Sequence, residues 1–418
     1  MGFPSLRTAQ FGAALLEAGH DVRIALLAGD DDDAAAPRRW RGPRPIGVEA
    51  VDVVRTDAPD LRGALEGIRR ELEPDAVVTA GPFLPMALGA AVVRDEPLWI
   101  DVPGDPMAEA QARAAADGDD GVLRRWHEVY AAALARGDAF SAVGHRQRAA
   151  LLGALGVSGR LVGANQGREL VHVVRGSVAP AAWCGDEPDG LDLPDDAFVL
   201  LFSGGWNTWL DHETMLAGVL VAMDARADLH FVGTGGAVRG HHATAYETFR
   251  AAAEASTHAA RFHFPGWIDA DRLAAVHDRA DAAICVDRRC AEAELGARTR
   301  LLEAVRRGLQ VASTVLCEQT EAMRGADAFT ELPVGDAGGV AEALTGLSRG
   351  AADWTAFDAR ADISSLTGWA AEPRRAAPGV DLPQAAADEA AALRRELEAV
   401  HATPTWRLLS KLHGRVKG

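Results

Sequence analysis

The chain has 418 residues, of which 48% are apolar and 25% charged, the proportions of an ordinary globular protein, so a disordered or fibrous chain is excluded. Sixty acids against 43 lysines and arginines leave a net charge of −17, which argues against a general nucleic-acid binder, whose surface must neutralise phosphates. At ~150 residues per domain the length suits two or three domains, with material for a core in each of two.

Residues 5–18 read as a helix with Phe11, Ala14, Leu15 and Ala18 on one face, stopped by Gly19. The stretch 21–27 puts Val22, Ile24 and Leu26 on one side and predicts a strand, and 48–54 predicts another. A helix over 58–73 ends at Pro74. Apolar strands at 75–81 and 97–102 bracket a further helix, a long helix covers 121–136, and a strand covers 138–144. This alternation implies a parallel sheet covered on both faces. A doubly wound domain opens on a strand, a loop and then its first helix. Here the helix comes at once, so the first, central strand is missing from the expected order. Its loss would leave neighbouring backbone groups unpaired, which raises the expectation of a start assigned too far downstream.

Residues 176–196 are rich in Pro, Gly and Asp and read as a linker. The alternation then restarts. Strands are predicted at 198–202, running into a Gly-rich loop, at 229–236, 261–267, 281–286 and 309–314, with a helix over 298–307. The predicted organisation is a doubly wound domain over 1–175, the linker, a second doubly wound domain over 197–370, and a C-terminal helix and basic tail over 371–418. In the alanine-rich helix at 385–400, Leu393, Leu397 and Val400 are spaced by four and three. After Glu398 there are no acids, while Arg407, Lys411, Arg415 and Lys417 are interleaved with Trp406, Leu408, Leu409 and Leu412. The segment 403–418 therefore reads either as a basic amphipathic stretch for peripheral contact with anionic lipid, or as a solvated tail packed by one face on the body.

Lysine occurs only at Lys411 and Lys417; with the many alanines, this fits a GC-rich bacterial genome. The four cysteines, Cys184, Cys285, Cys290 and Cys317, have no partners at zinc spacing, and a reducing cytoplasm fits them. No secretion-signal pattern is present, and no run approaches the ~18 apolar residues of a membrane span. A cytoplasmic location is expected, with peripheral contact on the inner membrane face through 403–418.

The strongest chemical constellation lies in the second domain. Two of its strands end in glycines, Gly204 and Gly205, then Gly233, Gly235 and Gly236. Glycines there let a ligand approach the backbone, beyond the carboxyl ends of the strands; tight strand-to-helix turns use the same residues. Arg298 and Arg300 flank Thr299 at an expected helix start, where two guanidiniums and free N–H groups suit a diphosphate. Glu294 precedes that helix and Glu303 lies on it; carboxylates of this kind accept from sugar hydroxyls, or else pair with surface arginines to little effect. In the first domain, Asp101, Asp105 and Glu109 follow a strand and are expected to face an inter-domain cleft, with Arg7 in reach of it. Asp105 before Pro106 reads equally as a helix cap.

The order of segments in the second half, FVLLFSGG, FVGTGG, FHFPGWID, ADAAICVDRRCAEAELG and RTRLLEAVRRGLQVAST, resembles the nucleotide-sugar domain of GT-B glycosyltransferases, in particular the large retaining family four. LEAGHDVRIA and VHVVRGSV resemble parts of that family's acceptor domain, so the resemblance spans roughly residues 5–350. It implies two Rossmann-like domains with a cleft between them, a nucleotide-diphospho-sugar donor and a saccharide or lipid-linked acceptor. It also implies retention of anomeric configuration and no metal or cofactor. Carried onto this chain, it implies donor contacts from Gly204, Gly205, Asn207, Thr208, Gly235, Gly236, Trp267, Gly296, Thr299 and Arg300. Glu294, Glu303 and Arg298 take the catalytic positions, and Arg7, Asp101, Asp105 and Glu109 stand on the acceptor side.

The chain departs from the family in two respects. Eight residues separate Glu294 from Glu303, one more than in the family's pair of glutamates, and Glu292 is a rival for the first role. The basic pair that meets the diphosphate after the first strand is replaced by Asn207, Thr208 and Asp211. Arg298 and Arg300 are expected to take over, unless Asp211 binds a sugar hydroxyl. A nucleotide-sugar epimerase on the same fold, or a degenerate relative acting as a binding or scaffold subunit, are the rival readings. Several other features read as bland. The acidic runs at 30–33 and 118–120 are solvated loops, and the adjacent His241 and His242 cannot share a helix face. GTGGAVRG at 233–240 has Val238 where a dinucleotide fingerprint needs glycine.

Overall fold

The structure is a computed structural model that describes residues 3–28, 50–81, 83–176, 191–238, 244–350, 352–359 and 362–402. The acidic run at 30–33, His241, His242, most of the expected linker and the 403–418 tail lie outside the described residues.

In the first half α1 (Phe3–Glu17) precedes β1 (Arg23–Ala28), β2 (Ala50–Arg55), α2 (Leu61–Leu72), β3 (Val77–Thr79), α3 (Leu84–Val92), β4 (Leu98–Val102) and α4 (Pro106–Asp117). Then come α5 (Gly121–Arg136), β5 (Ala139–Ala142), α6 (His145–Val157) and β6 (Val171–Val173). All pairings are parallel, but the strands form two groups, β1-β2 and β3-β4-β5-β6. A doubly wound order places its first strand between β1 and β3. Among the described residues no strand stands there, and the sheet is split at that point. Leu98, Trp99 and Ile100 of β4 are fully buried, as a strand covered on both faces must be.

The second half is a complete doubly wound sheet. It contains β7 (Phe198–Phe202), α7 (His212–Ala225), β8 (Leu229–Thr234), α8 (Thr244–Glu254), β9 (Phe262–Gly266), α9 (Ala270–Arg279) and β10 (Ala282–Cys285). After these follow α10 (Ala291–Leu295), α11 (Thr299–Arg306), β11 (Gln310–Thr314), α12 (Glu318–Met323), β12 (Phe329–Leu332) and α13 (Ala337–Thr345). The six parallel strands run in the order β12-β11-β10-β7-β8-β9. Strand β7 is central, so all five of its residues are buried, and apolar clusters fill both faces. Phe198, Leu200 and Phe202 point to one, and Val199 and Leu201 to the other, as the two-residue period of a strand requires.

The chain then crosses back, through α14 (Ser364–Ala371) to α15 (Leu382–Ala402). The crossing falls before the expected boundary at 370. Ile363, Leu366 and Trp369 join the first domain's cluster with Phe11, Trp99 and Val174, and Ala376 N–H donates to Asp138 at 2.8 Å. This return strap was not legible as such, because its apolar residues are too few to show a period.

At the centre of the first domain lies a buried charge network. Arg7 on α1 is fully buried and donates twice to Asp101 on β4, at 2.9 and 2.8 Å. It also donates to the Val174 and Arg175 carbonyls, both at 2.7 Å. Ser141 donates to the same carboxylate at 2.5 Å. Arg7 and Asp101 thus pair with each other inside the domain and do not open onto a cleft, because the isolated guanidinium needs the carboxylate to be buried at all. Removing one partner should be costly: Arg7→Met is expected to lower stability by about 3–5 kcal/mol by stranding Asp101. Arg7→Met/Asp101→Asn should recover part of that loss. Urea unfolding of both variants checks this.

Candidate functional site

The loops at the carboxyl ends of β7, β8 and β9 meet backbone to backbone. Gly204 has φ +104° and Gly235 φ +78°. A Cβ on Gly235 would lie 2.1 Å from the Gly204 carbonyl oxygen, so no other residue fits. Gly235 N–H donates to the Gly266 carbonyl at 2.8 Å, and Trp206 N–H to the Gly236 carbonyl at 3.1 Å. Trp206 itself is buried, its ring 4.7 Å from those of Phe202 and Phe249, and anchors the first loop in the core. Trp267, by contrast, is 62% exposed. With Gly235, Gly236, Tyr246 and Arg250 it lines a concavity of about 530 Å³. The predicted glycines and Trp267 are therefore brought together.

Deeper in the same region lie two arginines. Arg298, the residue before α11, is buried and ion-paired through Nε with the buried Asp287, and its guanidinium carbon lies 5.9 Å from the Trp209 ring centroid. Its Nη2 has no hydrogen-bond partner. Arg300, the second residue of α11, lies with its guanidinium carbon 4.3 Å from the Phe202 ring centroid, and its Nη2 donates to the Gly205 carbonyl at 2.8 Å. Its Nη1 likewise has no partner, and burial pulls its pKa down from the arginine value. The buried Thr208 hydroxyl is also unpartnered, while Asn207 stands beside Gly205. Buried donors are almost always satisfied, so the two guanidinium N–H groups and the hydroxyl are donors available to a ligand. Asp211 is not part of it: it caps α7, accepting from Thr214 N–H at 3.1 Å and from its hydroxyl at 2.8 Å.

The glutamates fall differently from the pattern expected. Glu294 is exposed, with Arg289 at 3.9 Å as its ion-pair partner. Glu303 sits half-buried on α11, where it accepts from Arg306 at 2.9 Å and Arg307 at 3.0 Å, on the side of α9, whose Asp278 also holds Arg307. The two are not brought together. Glu292, on α10, is the carboxyl group that turns inward. It is buried and leaves Oε2 unpartnered. Gly104, with φ +122°, approaches so closely that a Cβ there would be 3.3 Å from Glu292 Oε1, and a Cβ at Gly296 would be 2.4 Å from the same atom. Burial drives the Glu292 pKa well above the carboxylate range, against the pull of Arg298, and the carboxylates of Glu109 and Asp105 add to the rise. Asp105 and Glu109 thus do face the second domain. Asp105 is at the same time the cap of α4, accepting from Met107 and Ala108 N–H at 3.0 and 2.9 Å.

A second contact between the domains had no sequence signal. Glu318 at the start of α12 accepts from His145 N–H at 2.8 Å and from Arg146 N–H, capping a helix that has no cap of its own. Arg146 in turn grips Glu321 with bonds of 2.7 and 2.8 Å and the Leu316 carbonyl at 3.1 Å. Gly144 makes the approach possible, since a Cβ there would lie 2.9 Å from Glu318. These residues are ordinary surface types, and only long-range folding reveals their pairing. Among the described residues, no helix is long and apolar enough to cross a membrane, and no three His, Cys, Asp or Glu side chains are grouped to hold a metal.

Two parallel α/β domains with ligand-facing loops at their carboxyl ends and a cleft between them define the GT-B architecture. Solved structures agree. The chain is similar to a sucrose-phosphate synthase from Thermosynechococcus elongatus, with TM-score 0.58, 16% identity, and 86% of this chain and 84% of that one covered. It is also similar to HepE from Anabaena, solved with UDP and glucose, with TM-score 0.52, 13% identity and coverage of 81% and 85%. The N-terminal domain of a Candida albicans trehalose-6-phosphate phosphatase gives TM-score 0.52, 10% identity and coverage of 82% and 86%. No family model matches the chain, and no curated protein matches it by sequence.

The buried Glu292 carboxyl makes a prediction about pH. Its folded pKa lies above its unfolded value, so the folded state keeps a proton that the unfolded chain releases, and stability falls as pH rises through that window. Glu292→Gln should remove this component. Unfolding midpoints measured from about pH 5 to about pH 8 should decline less steeply in the variant than in the wild type.

Proposed function

We propose that the protein is a glycosyltransferase that moves a sugar from a nucleoside-diphosphate sugar to a saccharide or lipid-linked acceptor. The observation that carries this reading is the pair of buried guanidiniums, Arg298 and Arg300, each with an unpartnered N–H group beside the Gly204–Gly205 loop. Asp287 pairs with Arg298, and Arg300 is held by a backbone carbonyl without a carboxylate of its own, so two guanidiniums stand against one ion-paired carboxylate. A diphosphate supplies two charges and acceptor oxygens of the right geometry. The HepE structure, which contains UDP and glucose, supports a nucleotide-sugar donor.

In this reading the nucleobase lies in the concavity by Trp267, Gly235 and Gly236. The diphosphate lies against Arg298, Arg300, Thr299 and the N-terminus of α11. As the bond from sugar to diphosphate breaks, negative charge grows on the leaving oxygen, and the preorganised arginines stabilise it. The step as proposed needs no metal or cofactor. Retention of anomeric configuration follows from the family resemblance, and no covalent nucleophile is assigned. Glu292, whose Oε2 has no partner, hydrogen-bonds a hydroxyl of donor or acceptor, from the position expected of Glu294, with Asp105 and Glu109 lining the acceptor side. Glu303 acts by holding Arg306 and Arg307, and so α11, in place. The tail at 403–418 would bring the enzyme to the inner membrane face.

Arg300→Met separates binding from folding, since Arg300 has no carboxylate partner to strand. A thermal-shift series with UDP-, GDP-, TDP- and ADP-sugars should give a stabilisation of about 2.7 kcal/mol at about 100 times the dissociation constant for one base. Arg300→Met should fold normally and lose that shift. Release of nucleoside diphosphate that requires an acceptor completes the case. Conversion of donor alone to an isomer would indicate an epimerase, and binding with no turnover under any acceptor would indicate a scaffold role.

A further inference from the structure

Helix α15 is 21 residues long, and its described side chains from 388 to 399 are exposed except Ala391 and Ala392, which are half-buried. Leu393 and Leu397 stand 58% and 56% exposed. Most helices in proteins are held by packing an apolar face. Ala390, Leu393 and Leu397 follow one another at spacings of three and four, which is one seam of a two-stranded coil.

The charges beside that seam choose the occupant and its direction. Glu389 and Glu396 flank the seam on one side, and Arg394 flanks it on the other. In a parallel pair, a residue on one flank meets the residue five positions further along on the opposite flank of the second helix. Glu389 of each copy then meets Arg394 of the other, giving two ion pairs related by symmetry. An antiparallel pair would set Glu389 against Glu396 and Arg394 against Arg394. None of these three side chains has an ion-pair partner among the described residues. Between 388 and 398 the helix carries four acids, Asp388, Glu389, Glu396 and Glu398, against Arg394 and Arg395, a balance that anionic lipid repels.

The base of the helix points the same way. Val157, Leu161, Val380 and Leu382 are 81%, 54%, 48% and 43% exposed. They gather around Gly159, whose carbonyl accepts from Val380 N–H at 3.0 Å; a Cβ there would lie 3.2 Å from Leu382. Parallel pairing brings the two bodies together at this patch, whereas antiparallel pairing holds them at opposite ends.

We propose that α15 pairs in parallel with α15 of a second copy of this chain, closing the apolar patch at its base. Sedimentation of the full chain over a dilution series should give a dimer. Leu393→Glu/Leu397→Glu should give a monomer with unchanged thermal unfolding of the domains. Glu389→Arg should raise the dimer dissociation constant about tenfold or more, and Glu389→Arg/Arg394→Glu should restore it. Residues five apart do not face each other within one helix, so the rescue reports a contact between copies. A monomeric wild type at every concentration overturns the proposal. So does a dimer indifferent to the leucine substitutions, or a chain that stays monomeric and binds vesicles of anionic lipid through α15.

Discussion

Two guanidinium groups stand near each other in the second domain with one buried carboxylate, Asp287, which pairs with Arg298 alone, and the character of the candidate site follows from that imbalance. Burying a charge is tolerable only when it is paired and hydrogen-bonded. Arg298 meets that condition in part through Asp287. Arg300 meets it only through a backbone carbonyl and the face of Phe202. One N–H-bearing nitrogen of each guanidinium is left without a hydrogen-bond partner. In the proposed reading a donor diphosphate supplies the anion that this arrangement lacks, and the two arginines stand in place of the basic residues that the resemblance leads one to expect after the first strand of that domain.

Close backbone approach is the second constraint. Gly235 packs on Gly204 within the donor loops, Gly104 packs on Glu292 between the domains, and Gly144 makes room for Glu318. In each case the absent side chain is what lets two segments distant in sequence touch. The contacts through Glu292 and Glu318 join the first domain's α4 and α6 to the second domain's α10 and α12. The candidate donor and acceptor surfaces are therefore held against each other by two carboxyl groups in different surroundings. Burial pushes the Glu292 pKa up, and the nearby Glu109 and Asp105 add to the rise. Glu318 accepts from two N–H groups at a helix start, where the helix dipole favours negative charge.

The two domains solve the same problem with different completeness. The second has an unbroken sheet of six strands whose central strand is apolar throughout. The first has a sheet split between β1 and β3, and it relies on polar ties instead. Arg7 pins α1 to β4 and to the chain beyond β6, and the return strap around α14 adds Leu366 and Trp369 to the core beside Trp99. Buried ion pairs hold position more than they add net stability, so this domain trades apolar packing for specific contacts.

Local pattern settled much of this in advance. Apolar runs such as 198–202 and 97–102 can only be strands covered on both faces, and their alternation with helices fixes a parallel doubly wound fold. Glycines at strand ends and a helix opened by two arginines marked the candidate donor region, because those signals are short in range. What the sequence could not fix was where a side chain points once distant segments meet. Arg7 and Asp101 read as cleft residues but bury each other. Glu294 and Glu303 read as a pair but face solvent and α9, while Glu292, two residues away on the same short helix, turns inward because Gly104 and Gly296 make room for it. Spacing along a chain determines elements and faces. Which face carries the chemistry is decided by long-range packing, since burial and the charges of other segments set both the direction and the protonation of each group.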